Sequence, residues 1–512
     1  MTEAEESADS SGKRSGLGLI AIRLLGIGVA LAVYLLLDGA EGLSPDARVV
    51  AAVGTLMAFW WITEAIPLAA TALLPIFVFP ALTEQTVGES AAPYASPIVF
   101  LFLGGFLIAI AMEKWSLHRR IALMTLRRVG AEPKMIVLGM MIATAFLSMW
   151  VSNTATTLMM LPIAFSVLSL IREGTQTGDA RSGAAAAIPD DPQLQRFGIC
   201  LVLAIAWSAS IGGLGTLLGS PPNAIVAGYA ATELGRPIGF LQWMMVGLPI
   251  AAIFLVVAWL LMTRLIYRFD LREIPGGREM IANEVRKLGR LGRGEKSVLV
   301  VFASAAFLWI VPGLLAEFVV EADGAWWTGF DDTAIAIAAG TALFLLPGDA
   351  RGEAALGWKD AEEGLPWGVL ILFGGGLSLA SAVAASGLDA WLGGQVGGLG
   401  SLAPILLIGA VVLITLFLTE ITSNTATAAT FIPILGGVAL GLGMDPFGLL
   451  IPAALAATCA FMLPVGTPPN AIVFSTGVVT IGQMVRGGLV LNLVGVVLIT
   501  LGFSLLGGWA FG

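Results

Sequence analysis

Charge is scarce in this chain. Only 12% of its 512 residues are Asp, Glu, Lys or Arg, against about a quarter in soluble globular proteins, which excludes a soluble fold. Histidine is nearly absent. His118 stands alone, in a basic amphipathic stretch, so histidine chemistry inside a membrane is excluded. The two cysteines, Cys200 and Cys459, lie in apolar segments and offer neither a disulfide framework nor a metal cluster. With no intramembrane nucleophile or metal set in view, an enzyme is not expected. Regular alternation of apolar and polar residues is also missing, which excludes a β-barrel. The net charge of −9 says little about partners; no nucleic acid is expected among them.

What is present is apolar sequence in runs near twenty residues, such as 17–37 and 297–315, the length that crosses a bilayer as helix. Backbone in hydrocarbon must satisfy its own polar groups, so the chain reads as an all-α polytopic membrane protein in the lipid bilayer of the inner (plasma) membrane. The first run is too long for a signal-peptide core and reads as a retained helix. About eleven transmembrane helices, with the N-terminus in the cytoplasm and 135–171 and 402–441 drawn as re-entrant hairpins, place 24 of the 26 lysines and arginines on the cytoplasmic side. Arg48 and Arg236 are the exceptions. Full crossings at 135–171 and 402–441 preserve much of the same bias, so the charges argue for the orientation more than for the hairpins.

The chain repeats itself. Ser152-Asn153-Thr154 returns as Ser423-Asn424-Thr425, 271 residues on, and Gly104-Gly105 returns as Gly375-Gly376 at the same offset. A second motif, Gly-Ser-Pro-Pro-Asn-Ala-Ile from Gly219, returns as Gly-Thr-Pro-Pro-Asn-Ala-Ile from Gly466, 247 residues on. The shorter offset is explained by a polar loop at 172–196 that the second half lacks. The expected organisation is a polar tail at 1–16, helices at 17–96, and a first repeat at 97–263 with its hairpin and a broken helix at 197–232. A cytoplasmic linker at 264–296 and helices at 297–365 precede a second repeat at 366–512, with its hairpin and a broken helix at 448–477. An odd number of spans per repeat makes the two halves inverted in topology, an arrangement that puts a site at the midplane between repeats. The basic but mixed-sign linker reads as a solvated surface segment, with lipid binding as the sharper alternative, and 114–134 reads as a helix at the interface.

No lysine or arginine occurs between Lys134 and Arg172, between Arg196 and Arg236, or between Lys359 and Arg486. An anion bound near these motifs must be held by hydroxyls, amides, helix N-termini and co-bound cations. Serine, threonine and asparagine suit that task, because hydroxyls and amide N–H groups donate to carboxylates while asparagine and backbone oxygens ligate hard cations. Paired prolines remove N–H donors and push the preceding residue out of the helical conformation. Each Pro-Pro should therefore split a membrane helix, free carbonyls, and aim the N-terminus of the second half at the site. Glu64 and Glu420 are carboxylates in apolar surroundings. Glu64 reads as fixing a helix end; Glu420 reads equally as that or as a proton-coupling group. The glycine pairs read as close-packing positions.

At WWITEAIPLAATALLP, the two SNTAT segments and the two G(S/T)PPNAI segments, the chain resembles the divalent anion/sodium symporter family, over nearly its whole length from about residue 50. The resemblance implies a homodimer of scaffold and transport domains moving in elevator fashion, with each Ser-Asn-Thr at a hairpin tip facing the broken helix of its own repeat. It implies two sodium sites, one from Ser148, Ser152, Asn153 and Gly219 and one from Thr419, Thr422, Asn424 and Gly466. It also implies a substrate site from Asn153, Thr154, Ser423, Asn424 and Thr425, with Ser220, Thr467 and Pro468 nearby. The expected activity is sodium-coupled import of C4-dicarboxylates such as succinate, malate and fumarate. The alternatives are exchange, proton coupling, or citrate or sulfate as substrate.

Overall fold

Among the described residues eight helices carry enough apolar length to cross a bilayer, and six shorter apolar helices of 10–17 residues accompany them. The computed structural model describes residues 16–130, 132–174, 191–271, 277–318, 331–395 and 402–512. The expectations for most of the N-terminal tail and for much of the 172–196 loop fall outside the described residues. In chain order the principal helices are α1 (Gly16–Leu36), α2 (Pro45–Thr63), α3 (Pro97–Lys114), α4 (Leu117–Val129), α5 (Pro133–Ser148), α6 (Asn153–Gly174), α7 (Pro192–Gly213), α8 (Pro221–Thr232), α9 (Phe240–Leu261) and α10 (Gly277–Lys287). They continue as α11 (Arg293–Phe318), α12 (Asp332–Leu345), α13 (Trp367–Ser386), α14 (Leu388–Gln395), α15 (Pro404–Thr419), α16 (Asn424–Gly441), α17 (Phe447–Thr458), α18 (Pro468–Ser475) and α19 (Ile481–Phe511). Among the described residues the only β pairing is an isolated bridge between Pro347 and Ala354.

The repeats are visible as matching contacts. α5 packs on α7 and α15 packs on α17, so each hairpin leans on the first half of its own broken helix. The other arms cross over: α6 packs on α18 and α16 on α8, so each hairpin also touches the second half of the other repeat's broken helix. The two repeats are thereby interlocked around one centre. Burial follows. The most apolar window of α7 is 89% buried, whereas that of α1 is only 11% buried. α1 thus presents an apolar surface outward, as a lipid-facing helix must.

Glycine allows the closest approaches. A Cβ at Gly104 of α3 would collide with the backbone of Ala336 on α12, and one at Gly375 of α13 with the backbone of Ala72. The mixed charges of the linker are used in docking. Arg119 donates to Glu284 at 2.8 Å, and Arg120 to Glu295 at 2.8 Å and to the carbonyls of Leu288 and Gly289 at 3.1 Å each, which clamps α10 and its following turn onto α4. Both exceptions to the charge bias are paired, Arg48 with Asp38 at 2.7 Å and Arg236 with Asp445 at 2.9 Å.

Candidate ion and anion site

The prolines do break their helices. α7 ends at Gly213 and α8 starts at Pro221; α17 ends at Thr458 and α18 starts at Pro468. The residue before each Pro-Pro is extended, Ser220 at φ −152°, ψ 142° and Thr467 at φ −155°, ψ 145°, as a residue ahead of proline requires. The carbonyls freed by each break are collected by the asparagine two residues into the next helix turn. Asn223 donates to the carbonyls of Gly213 and Thr216 at 2.9 and 2.8 Å. Asn470 donates to those of Ala460 and Leu463 at 3.0 and 3.1 Å. All three positions shift by 247, so the staple is part of the repeat.

The Ser-Asn-Thr triplets sit at the turns between α5 and α6 and between α15 and α16. Each asparagine points one end of its amide at the break of its own repeat. At Asn153, Oδ1 lies 2.5 Å from Ser148 Oγ, which donates to it. The same end of the amide lies 3.1 Å from the carbonyl oxygen of Ala209 and 3.3 Å from that of Gly219. At Asn424, Oδ1 accepts from Thr419 Oγ1 at 2.7 Å and stands 3.1 Å from the carbonyl oxygen of Ala457 and 3.2 Å from that of Gly466. With Oδ1 turned inward each repeat gathers four oxygens, a set suited to a hard cation; with Nδ2 turned inward the amide instead donates to the same neighbours. Ala209 and Ala457 are additions to the residues expected from sequence. Ser152 and Thr422 are placed differently from this set: Ser152 Oγ is exposed and accepts from the N–H of Ala155, while Thr422 Oγ1 donates to the carbonyl of Leu418 and meets Thr427 Oγ1.

The outer faces of both tips line one cavity of about 1260 Å³. Thr154, Ser423, Thr425 and Thr467 line it, and their hydroxyls make no hydrogen bond among the described residues. Pro468 is exposed to it, whereas Ser220 is buried and accepts a hydrogen bond from Thr458 of the other repeat at 2.9 Å. The N-termini of α6, α8, α16 and α18 all open on this cavity, and no lysine or arginine among the described residues lines it. Four partial positive charges from helix ends thus substitute for cationic side chains.

Glu64 and Glu420 part company. Glu64 ends α2 through its backbone, in the left-handed conformation at φ 50°, and its exposed side chain lines the cavity without a hydrogen bond among the described residues. Glu420 is 3% exposed. Its Oε1 accepts from the N–H of Phe461 at 2.6 Å, of Met462 at 2.9 Å and from Asn492 Nδ2 at 2.7 Å; its Oε2 accepts from Met462 at 3.0 Å and Leu463 at 3.0 Å. Each of these contacts is a donor to the carboxyl group, which thereby braces the second break. The first repeat has Met149 at this position and braces its break differently: Thr216 Oγ1 donates to the carbonyl of Met149 at 2.5 Å and accepts from the N–H of Gly219 at 3.1 Å.

A family model described as the sodium:sulfate symporter transmembrane region matches residues 20–510. The chain belongs to this symporter family. Among its relatives is the sodium-dependent dicarboxylate transporter SdcS of Staphylococcus saprophyticus, 42% identical over 472 residues that cover 91% of this chain and 87% of the relative. The protein of the same name from Staphylococcus aureus is 43% identical over 455 residues, 88% of this chain and 84% of its own. Two solved structures share the fold: the YdaH transporter of Alcanivorax borkumensis (TM-score 0.59, 14% identity, covering 90% of this chain and 99% of that one) and MtrF of Neisseria gonorrhoeae (TM-score 0.56, 13% identity, 94% and 97%). The symporter-family chain is thus an all-helical, multi-pass membrane protein built on a known transporter fold.

Proposed function

We propose that this chain imports C4-dicarboxylates, succinate, malate and fumarate among them, by symport with sodium. The observation that carries the reading is the pair of oxygen clusters, one per repeat, each sharing its asparagine with one cavity that no cationic side chain lines among the described residues. Sodium at Ser148, Asn153, Ala209 and Gly219, and again at Thr419, Asn424, Ala457 and Gly466, would put positive charge behind each tip. Ser152 and Thr422, implied by motif position, would join the two shells only by releasing their present hydrogen bonds. The two carboxylates of the substrate would then meet Asn153, Thr154, Ser423, Asn424, Thr425 and Thr467, with Ser220 and Pro468 shaping the floor.

The names of the relatives at 42–43% identity favour a dicarboxylate over citrate or sulfate. The all-donor environment of Glu420 argues against proton coupling through that residue. Access in this reading alternates by elevator-like movement of the hairpins and broken helices against scaffold segments 17–96 and 297–365, within a homodimer. Glu64 and Glu113 line the cavity at helix ends that the lysine and arginine bias assigns to the cytoplasm, which supports an inward-facing reading. The deciding experiment is uptake of labelled succinate into proteoliposomes under inward sodium, potassium or proton gradients, with and without internal substrate and with competing anions. Stimulation by sodium alone and competition by malate and fumarate is the expected result. Uptake indifferent to sodium, or blocked by sulfate or citrate in preference to fumarate, would overturn the reading.

A further inference from the structure

We propose that the side-chain amides of Asn153 and Asn424 turn over when sodium binds, and that this rotation couples ion to substrate. The inference rests on the sodium-symport reading given above and adds a mechanism to it.

An asparagine amide is planar, with an acceptor at one end and a donor at the other, and its two ends occupy nearly the same space. The inner end at Asn153 has three neighbours within 3.3 Å, and two of them, the carbonyls of Ala209 and Gly219, have no hydrogen to give. With Oδ1 inward those oxygens face one another and need a cation among them. With Nδ2 inward they need none, because the two N–H groups are shared among Ser148 Oγ and the carbonyls of Ala209 and Gly219. The second repeat repeats the geometry, with Nδ2 of Asn424 able to donate to Thr419 Oγ1 and to the carbonyls of Ala457 and Gly466. One end of each amide thus replaces the ion when the ion leaves.

The outer end is where this matters. Both asparagines line the cavity, and the outward Nδ2 of each makes no hydrogen bond among the described residues. With sodium bound, the group offered to the substrate is an N–H donor, which a carboxylate accepts. With sodium absent, it is a carbonyl oxygen, which repels a carboxylate. A single rotation at each tip therefore switches the cavity from anion-rejecting to anion-accepting, and by linkage the bound dicarboxylate raises sodium affinity by the same factor.

The chain has only six asparagines, which makes the test direct. The protein is reconstituted in nanodiscs with ¹⁵N in its asparagine side chains only, and hydrogen exchange of each NH₂ group is followed in choline chloride, in NaCl, and in NaCl with succinate. The Asn153 and Asn424 signals are those missing in N153D and N424D. The proposal expects exchange at these two amides to become about ten-fold faster on adding NaCl, because they leave buried carbonyls for the open cavity, and to slow again with succinate. Asn223 and Asn470, which staple the breaks in both states, serve as internal references. Simple ordering of the tips by sodium gives the opposite sign. Slowed or unchanged exchange at all six amides, in a sample that binds succinate only with sodium, overturns the rotation and leaves the transport reading intact. Failure of sodium to promote succinate binding overturns both. Should the aspartate variants not fold, the six-signal spectrum still decides, since the proposal requires two signals that speed up in NaCl.

Discussion

Replacing Glu420 by glutamine tests whether the buried carboxylate is a structural brace for the second cation site. The substitution keeps size and shape and removes the charge. Glutamine can keep an oxygen where Oε1 accepts from Phe461, Met462 and Asn492, but its NH₂ then stands where Oε2 accepts from Met462 and Leu463. Hydrogen bonds to a charged group contribute about 1.5–3 kcal/mol, against about 0.5–1.5 kcal/mol between neutral groups, and a buried N–H left without an acceptor costs about 1–3 kcal/mol. After partial relaxation, a penalty of roughly 2–4 kcal/mol on the 461–463 arrangement is reasonable. That segment leads directly into Gly466, whose carbonyl faces Asn424. If the penalty is recovered only when sodium re-forms the break, the sodium concentration for half-maximal uptake should rise at least ten-fold, at about 1.4 kcal/mol per decade. Uptake at saturating sodium should stay within about two-fold of the original, because mass action restores the competent state. The assay is the initial rate of succinate uptake as a function of external sodium. A folded E420Q protein with unchanged sodium dependence would refute the brace. Loss of pH dependence without change in sodium dependence would reinstate proton coupling.

Three other outcomes follow from the same geometry. A Cβ at Gly213 would lie 2.9 Å from the carbonyl oxygen of Gly219 and 3.2–3.3 Å from both ends of the Asn153 amide. G213A should therefore weaken sodium activation roughly five- to thirty-fold, as overpacking by about 1–2 kcal/mol implies, while A460G at the matching position of the second repeat should change it little; equal effects in sodium titrations of uptake would contradict this. Asn470→Ala leaves the carbonyls of Ala460 and Leu463 without their donor, a loss of about 2–4 kcal/mol that should lower the thermal unfolding temperature by several degrees, and Asn223→Ala should match it; an unchanged melt for both removes the staple. Burial, reinforced by neighbouring Arg119 and opposed by the Met112 carbonyl, holds the pKa of His118 below its ordinary value of 6.5. The folded protein thus prefers the neutral ring, so this contribution is present above the unfolded pKa and is lost as pH falls through the folded one; the melt should weaken from pH 7.5 toward pH 5.5, and H118Q should flatten that fall.

Much of the architecture was legible because it is carried by residues that hydrocarbon makes expensive. Proline pairs mark the breaks at Ser220 and Thr467, polar triplets mark the hairpin turns, and the common offset of 271 ties Ser148–Asn153 to Thr419–Asn424. The cation-free stretches pointed to helix ends as the source of positive potential, and four N-termini do open on the cavity. The carbonyls of Ala209 and Ala457 could not be read, because a backbone ligand leaves no mark on its own side chain. The asparagines of the Pro-Pro-Asn motifs were visible, but their task depends on which carbonyls a break releases, and that is a matter of three-dimensional path. Glu420 was visible as a buried carboxylate. Its partners lie 41–43 and 72 residues further along the chain, so the sequence could not separate a brace from a proton carrier.

The two repeats share their oxygen sets and differ in what holds them. The first break is tied by Thr216 to Met149, and its tip is anchored by Trp150, which stacks on Phe240 at 5.8 Å and on Trp309 at 6.2 Å, centroid to centroid. The second break is tied by a buried charge, and the residue matching Trp150 is Ile421, which is 63% exposed and lines the cavity. The first site is thus fixed by packing against α9 and α11, the second by electrostatics within its own repeat. Packing of that kind has to be exchanged when one part of the molecule slides past another, whereas a carboxylate held by its own repeat travels with it. In an elevator-type cycle the first tip would then report the position of the moving part, and the second would keep its ion geometry constant throughout. In that cycle a symmetric oxygen set on unequal supports would let one duplicated motif serve both purposes.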